Sequence, residues 1–402
     1  MSGASSIEWT DATWNPVRGC SRVSEGCRNC YAERQAARFS KPGLYANGFA
    51  EQTVAGPRWT GDVELIPSAL DWPLRKRKSL RIFVNSTSDL FHEKLSDEAL
   101  AAVFGVMAAC PQHTFQVLTK RPERMRAWFE WVNARGGLGP YIRSDEGRAT
   151  LRGIVANEAT SRFEFYRGKK VRSGEDGWAM VMNAAACNVG TAPLCNVWLG
   201  VSVENQATAD ERIPLLLQTP AAKRFVSYEP ALGPVKFSPN LRRSSTHHVS
   251  MSVPGALRNR SFYGLCDDSG REMSPKEAEA ALRDLLGRGI ERIPATSCDA
   301  FDEKTGCKGH PNPAIDWVIV GGESGPGARP FDVAWARSTV EQCRAAGVAV
   351  FVKQLGARAE TDHMSDLAGH EARGQRWLVL RDRKGGDWSE WPEDLRVREF
   401  PR

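Results

Sequence analysis

The sequence predicts an α/β fold with a largely parallel sheet, and three observations predict it. Six short runs are β-branched or aromatic and nearly continuous in apolar residues, as strands buried on both faces are. Helix-like stretches lie between several of these runs. The residues that follow each run are polar and chemically varied, at the place where parallel α/β folds hold their ligands. A chain of 402 residues is long enough for one barrel-sized domain with insertions. The alternation leaves three architectures open: a partial barrel, a full barrel and a doubly wound sheet.

The expected strands are 80–85 (LRIFVN), 114–119 (TFQVLT), 197–203 (VWLGVSV), 224–228 (RFVSY), 317–321 (WVIVG) and 348–353 (VAVFVK). A helix is expected over 97–109, with Ser96 as its N-cap, and further helices over 207–217 and 333–346. Two stretches break the rhythm and read as loop insertions in a single domain spanning 1–402. The first, 128–191, is rich in Gly and Arg. The second, 236–312, opens with polar, basic sequence, carries a helix pattern over 275–286 and ends in a Cys/His cluster. The extension 357–402 is charged, with Trp377, Trp388 and Trp391, and a small hairpin-like lid is one form open to it.

Composition bounds the setting. Apolar content of 41% and charged content of 25% are those of an ordinary globular chain. No apolar run reaches the length of a membrane span, and the N-terminus lacks the basic and apolar regions of a signal peptide, so a cytoplasmic protein is expected. Ten cysteines in a reducing compartment favour metal ligands or buried thiols over disulfides. A net charge of +6 permits a polyanionic partner. Of thirteen tryptophans, Trp9, Trp14, Trp198 and Trp317 lie near the expected site.

The most informative feature is a trio of cysteines. Cys20, Cys27 and Cys30 are separated by six and then two residues, and Tyr31 follows. No fourth cysteine lies within the next seventy residues. A closed zinc site wants four ligands. An iron–sulfur cube held by three thiolates leaves one iron open, which is the chemical basis for holding and cleaving S-adenosylmethionine (SAM). The alternatives are zinc, with His92 as a fourth ligand, and plain thiols.

The strand ends supply partners for such a centre. They read Asn85-Ser86-Thr87-Ser88-Asp89, Thr119-Lys120-Arg121, Ser202-Val203-Glu204-Asn205, Ser227-Tyr228-Glu229, Gly321-Gly322-Glu323-Ser324 and Lys353-Gln354. Any one of these is an ordinary loop start; six together point to one pocket. The Gly321–Gly322 turn lets backbone approach a ligand, and Glu323 suits an amino group or ribose hydroxyls. It is not a Walker A loop. A second constellation, Cys266, Cys298, Cys307 and His310, has the ligand types of tetrahedral zinc and would staple an insertion with little core of its own. Cys187 and Cys195 form a weaker pair, and Cys110 and Cys343 read as core. Basic groups gather at 75–78, at Lys120, Arg121 and Arg124, at Lys169, Lys170 and Arg172, and at Arg242 and Arg243. Such runs bind phosphates or simply solvate a face.

The segment 7–16 (IEWTDATWNP), the three cysteines with Tyr31-Ala32-Glu33, and the blocks 83–93, 114–125, 197–206, 209–235 and 316–330 together resemble a phage-associated three-cysteine family, long catalogued as a domain of unknown function. That resemblance implies a radical-SAM-like, partial (β/α) TIM-like barrel of about six parallel strands. Cys20, Cys27 and Cys30 would hold a [4Fe–4S] cluster whose open iron binds SAM. One electron would cleave SAM, and the resulting radical would abstract hydrogen from a substrate. Ser86, Ser88 and Asp89 would meet the amino-acid part of SAM, and Ser202, Glu204 and Glu229 its ribose or adenine. Tyr31, Asn85, Lys120, Gly321, Gly322 and Glu323 complete the expected cofactor-binding set. The first cysteine gap is six rather than the usual three, and Asn29 stands where the usual motif has an aromatic. The expected substrate is a base in DNA or RNA, for repair or modification. The electron would come from a reductant such as flavodoxin or ferredoxin, and a partner protein is also expected. A zinc-stabilised nucleic-acid-binding or partner-binding protein is the alternative. A hydrolase built on Asp89, His92 and Glu93 lacks the second ligand pair of a zinc protease helix.

Overall fold

The computed structural model describes residues 2–137, 194–237, 240–241, 314–362 and 377–401, with residue 144 and the pairs 165–166, 169–170, 301–302 and 306–307 between them. One eight-stranded sheet organises these residues. Its strands are β1 (Gly3–Ala4), β2 (Ala12–Trp14), β3 (Arg81–Val84), β4 (Thr114–Thr119), β5 (Val197–Val203), β6 (Lys223–Tyr228), β7 (Trp317–Gly321) and β8 (Ala349–Gln354). Their order across the sheet is their order in the chain. Only β1 is antiparallel, to β2; every neighbouring pair from β2 to β8 is parallel.

That order decides between the architectures left open by the sequence. A doubly wound sheet reverses at a switch point. This one winds in a single direction, as the strands of a barrel do. Among the described residues no ladder joins β1 to β8, so the sheet is open rather than closed. The parallel strands number seven, one more than expected. The additional strand is β2, three residues long, whose register to β3 runs from Ala12 opposite Ile82 to Trp14 opposite Val84.

Helices fill the crossovers: α1 (Tyr31–Arg38), α2 (Asp97–Ala108), α3 (Pro122–Ala134), α4 (Gln206–Gln218) and α5 (Val333–Ala346). Their starts are set by side chains next to the strand ends. Ser96 accepts from the Ala99 amide, Asp332 from the Ala334 amide, and Asn205 forms a capping box with Thr208. The first insertion was expected to begin at 128, but α3 continues through Trp128 to Ala134. Trp128, Phe129 and Val132 pay the cost of order there by packing into the core.

Strand residues alternate between two cores, which explains the continuous apolar runs. Ile82, Val84, Val117, Val201, Val226, Val318 and Val350 face the helices, against Leu100, Val103, Phe104, Ile213 and Val340. Phe83, Trp198, Phe225, Trp317, Ile319 and Phe351 form the other core, together with Trp9. These aromatics fill the concave side near the N-terminal ends of the strands. Trp9, Trp198 and Phe351 each meet Trp317 edge-on, with centroids 6.1–6.2 Å apart.

The C-terminal segment is an added edge rather than a lid. The Val352 amide donates to the Val397 carbonyl and the Glu399 amide to the Val350 carbonyl, each at 2.9 Å. Phe400 then reaches under the sheet, 5.4 Å from Trp317 and 5.5 Å from Phe351, and the Arg81 guanidinium lies 4.2 Å over its ring. The chain end therefore plugs the lower end between β8 and β3.

Candidate functional site

The loop between β2 and α1 carries Cys20, Cys27 and Cys30, with Cys30 as the N-cap residue of α1. All three thiols are free. The loop lies across the C-terminal ends of the strands and is tied to four of them. At β3, the Tyr31 hydroxyl donates to the Ser86 carbonyl. At β4, Arg121 donates to the Ser21 carbonyl at 3.1 Å and to Ser21 Oγ at 2.8 Å. At β5, Ser24 Oγ donates to Glu204 at 2.9 Å. At β7, Asn29 Nδ2 donates to Glu323 at 2.9 Å.

Each anchor is itself fixed by charge. Arg121 is 4% exposed and is held by Asp89 at 3.1 Å and Glu93 at 2.9 Å. Asp89 also accepts from Thr119 Oγ1 and from the Phe91 and Lys120 amides, so both its oxygens are occupied. Glu204 is 1% exposed, with Lys120 Nζ at 3.0 Å and Arg212 at 3.3 Å. Burial pushes its carboxyl up, but Lys120 and Arg212 outweigh burial and hold it below the usual carboxylate range. Glu323 behaves alike: hydrogen bonds from Arg329 and Asn29 overcome burial. The loop and α1 are joined internally by Arg22, which grips buried Glu33 through Nε at 3.0 and 3.1 Å.

Two glycines mark how closely these parts approach. A Cβ on Gly26 would stand 2.2 Å from Glu204 Oε1, so only glycine lets the cysteine loop rest on that carboxylate. A Cβ on Gly322 would stand 2.3 Å from the Leu355 carbonyl oxygen, so this glycine serves the approach of the segments that follow β7 and β8.

The strand-end residues expected from sequence do come to one mouth, in different states. Asp89, Lys120, Glu204 and Glu323 are engaged in the network above. Ser88 donates to the Val17 carbonyl at 3.1 Å, Ser86 to Asn15 at 3.2 Å, and Ser202 is buried on β5. Glu229 pairs with Lys353 at 2.6 Å, joining the ends of β6 and β8 across β7. Sequence reasoning named Lys353 only as a strand end; its role as the partner of Glu229 depends on strand order. Ser24 was missed as well, and Asn29 was read only as a departure from the usual motif, because their partners are distant in sequence; Arg22 and Arg329 were missed although Glu33 and Glu323 lie only 11 and 6 residues away.

Asn85 stands apart. It is the only described non-glycine residue with positive φ, at 59°. Its side chain is buried, and neither its Oδ1 nor its Nδ2 has a hydrogen-bond partner. Each unpaired buried polar group costs about 1–3 kcal/mol. Tyr31 is the opposite: the residue is 56% exposed while its hydroxyl is pinned to Ser86.

Burial pushes the Cys20 thiol up to about 12, with Asp89 acting in the same direction, and burial also pushes Cys30 up. His92, the alternative zinc ligand, has both ring nitrogens in use: Nε2 lies 2.9 Å from Ser21 Oγ, and Nδ1 accepts from the Lys94 amide at 3.2 Å. Among the described residues no three His, Cys, Asp or Glu side chains stand at metal-holding separation. Cys110 and Cys343 are buried in the core and Cys195 is exposed. Cys187, Cys266, Cys298 and His310 lie outside the described residues, as do Arg172, Arg242 and Arg243. Cys307 lies in a two-residue strand, Gly306–Cys307, paired with Phe301–Asp302. The basic run at 75–78 precedes β3 and so lies at the end of the sheet opposite the cysteines; Arg75 pairs there with Asp71. No helix among the described residues is long and apolar enough to cross a membrane.

No curated protein and no solved structure matches the chain. One family model does, over residues 4–381, and it carries the description "protein of unknown function (DUF5131)". Since the match spans nearly all of the sheet and both stretches between its strands, the chain belongs to that family.

Proposed function

We propose that this protein is a radical SAM enzyme acting on a nucleic-acid base. The observation that carries the reading is the placement of the three-cysteine loop, laid over the C-terminal ends of seven parallel strands and tied to four of them. Ligands in parallel α/β folds sit at those ends.

The donor set fits an iron–sulfur centre in kind. Three sulfurs in one loop are soft ligands and number one fewer than a closed zinc site requires. The Cys20 and Cys30 thiols, pushed up by burial, need a cation to become thiolates, so the centre and its ligands would form together. The side chains as they stand must converge for that to happen, which is ordinary where the metal itself completes the site. Cys20, Cys27 and Cys30 would hold a [4Fe–4S] cluster. When bound, that cluster supplies an open iron and one electron for SAM cleavage.

The chain's own groups do the rest. Arg121, Glu204 and Glu323 fix the loop's backbone against the strand ends. The paired charges Lys120–Glu204 and Lys353–Glu229 line the mouth. The aromatic plug closes the lower end against water, leaving the upper mouth as the way in. The positive net charge favours an approaching polyanion. Anaerobic reconstitution tests the ligand assignment: wild type should bind about four irons with matching sulfide. Four irons retained by a Cys27→Ala variant would defeat the assignment.

A further inference from the structure

Almost every polar side chain at the mouth is spoken for, and the exception lies next in sequence to a residue tethered to an exposed tyrosine. Asn85 has a left-handed backbone conformation, φ 59°, with a buried carboxamide that lacks partners on both oxygen and nitrogen. Asn85 directly follows Val84, the last residue of β3, and so stands at the end of the sheet over which the cysteine loop lies. The next residue, Ser86, accepts the Tyr31 hydroxyl through its carbonyl. Tyr31 immediately follows Cys30, and the residue is exposed while its hydroxyl is fixed. One tether therefore fixes Tyr31 to the backbone of the residue that follows the unsatisfied amide.

That combination is how proteins hold single nucleobases. A ring stacks on the base, and a carboxamide reads adjacent donor and acceptor atoms on its edge. An asparagine pairs best with adenine, whose N6 and N7 match its oxygen and nitrogen. We infer that Tyr31 and Asn85 form a nucleobase-holding pair at the mouth, with the ring as platform and the amide as reader. The inference rests on the proposed function for the location of the ligand. The base belongs either to a nucleoside cofactor or to a nucleic-acid strand. The amide is buried, so contact with a base requires a side-chain movement at the mouth.

The test is equilibrium binding of two probes to the full-length protein, with and without its cluster: S-adenosylhomocysteine, and short single strands of each of the four deoxynucleotides. The variants are Asn85→Gly, Tyr31→Leu and Tyr31→Phe, each with iron content and melting temperature measured alongside. Asn85→Gly relieves the backbone conformation and removes the unpaired amide, so it should melt no lower than wild type. It should also bind one probe at least about tenfold more weakly. Tyr31→Leu should weaken the same probe by about tenfold or more, and Tyr31→Phe by less than about threefold, since the stacking face remains. Loss confined to S-adenosylhomocysteine assigns the base to the cofactor. Loss on the strands, oligo-dA above all, assigns it to the nucleic acid. Undiminished affinity for both probes in Asn85→Gly and Tyr31→Leu would overturn the inference, as would a wild type that binds neither. Should Asn85→Gly fold poorly, Tyr31→Leu carries the test, because Tyr31 is exposed. Iron content reports on the cluster independently, so loss of the radical SAM reading and loss of the base pair are separate results.

Discussion

The two ends of the sheet use the same strands for opposite purposes. At the lower end, Phe83, Trp198, Phe225, Trp317 and Phe351 fill the concave side with rings, and Phe400 seals them from below. At the upper end the residues at and just beyond the strand ends include Asn85, Lys120, Glu204, Glu229 and Lys353. The lower end gains stability from apolar burial at roughly 1.5–3 kcal/mol per large side chain. The upper end spends some of it on buried charge and on an amide without partners. The contrast teaches that one parallel sheet can hold one end together by apolar packing and the other by paired charge.

Substitutions should therefore separate the two ends. The largest effect is expected from Cys27→Ala, which should lose the cluster outright while the melting temperature of the cluster-free protein stays near wild type. A large fall in that temperature would mean that the thiol serves packing. Trp317→Ala should do the reverse. Removing a fully buried indole at the centre of the plug costs about 3–5 kcal/mol, read in a denaturant titration, while the folded fraction still binds iron to the same stoichiometry.

Gly26→Ala probes the contact between loop and rim. A Cβ 2.2 Å from Glu204 Oε1 must displace one of them, at about 1–3 kcal/mol. Iron incorporation should fall, and Glu204→Ala in the same chain should restore part of it by making room. An additive double variant would place the defect elsewhere.

The smallest effect is in pH. Burial holds both His92, at the rim, and His113, before β4, below the usual imidazole range. The unfolded chain then binds more protons than the folded one just below the ordinary imidazole value, so stability should decline as pH falls below about 6.5. His92→Gln should flatten that decline in part, and His113→Gln should account for the remainder. Melting temperatures that do not change across this range would contradict both assignments.

The strands were legible because burial on both faces writes itself as continuous apolar sequence, and α2, α4 and α5 because Ser96 and the 3.6-residue spacing announce them; α1 and α3 were not read from the sequence. That same continuity hides which side chains pack together. Only strand order and alternation reveal that Phe83, Trp198, Phe225, Trp317 and Phe351 share one core. β2 escaped notice because three residues carry too little pattern. Arg121 looked like a phosphate-binding arginine; it is buried because Asp89 and Glu93 arrive from another strand end to neutralise it. The anchors of the cysteine loop were invisible for the same reason: Ser24 meets Glu204 and Asn29 meets Glu323 across separations that no local spacing encodes.

The central claim is tested most directly by electron paramagnetic resonance of the anaerobically reconstituted, dithionite-reduced protein, recorded with and without SAM. The account predicts a [4Fe–4S]⁺ signal that changes on adding SAM, because three thiolates leave one iron open to it. A signal indifferent to SAM, or no cluster signal after reconstitution, would contradict it.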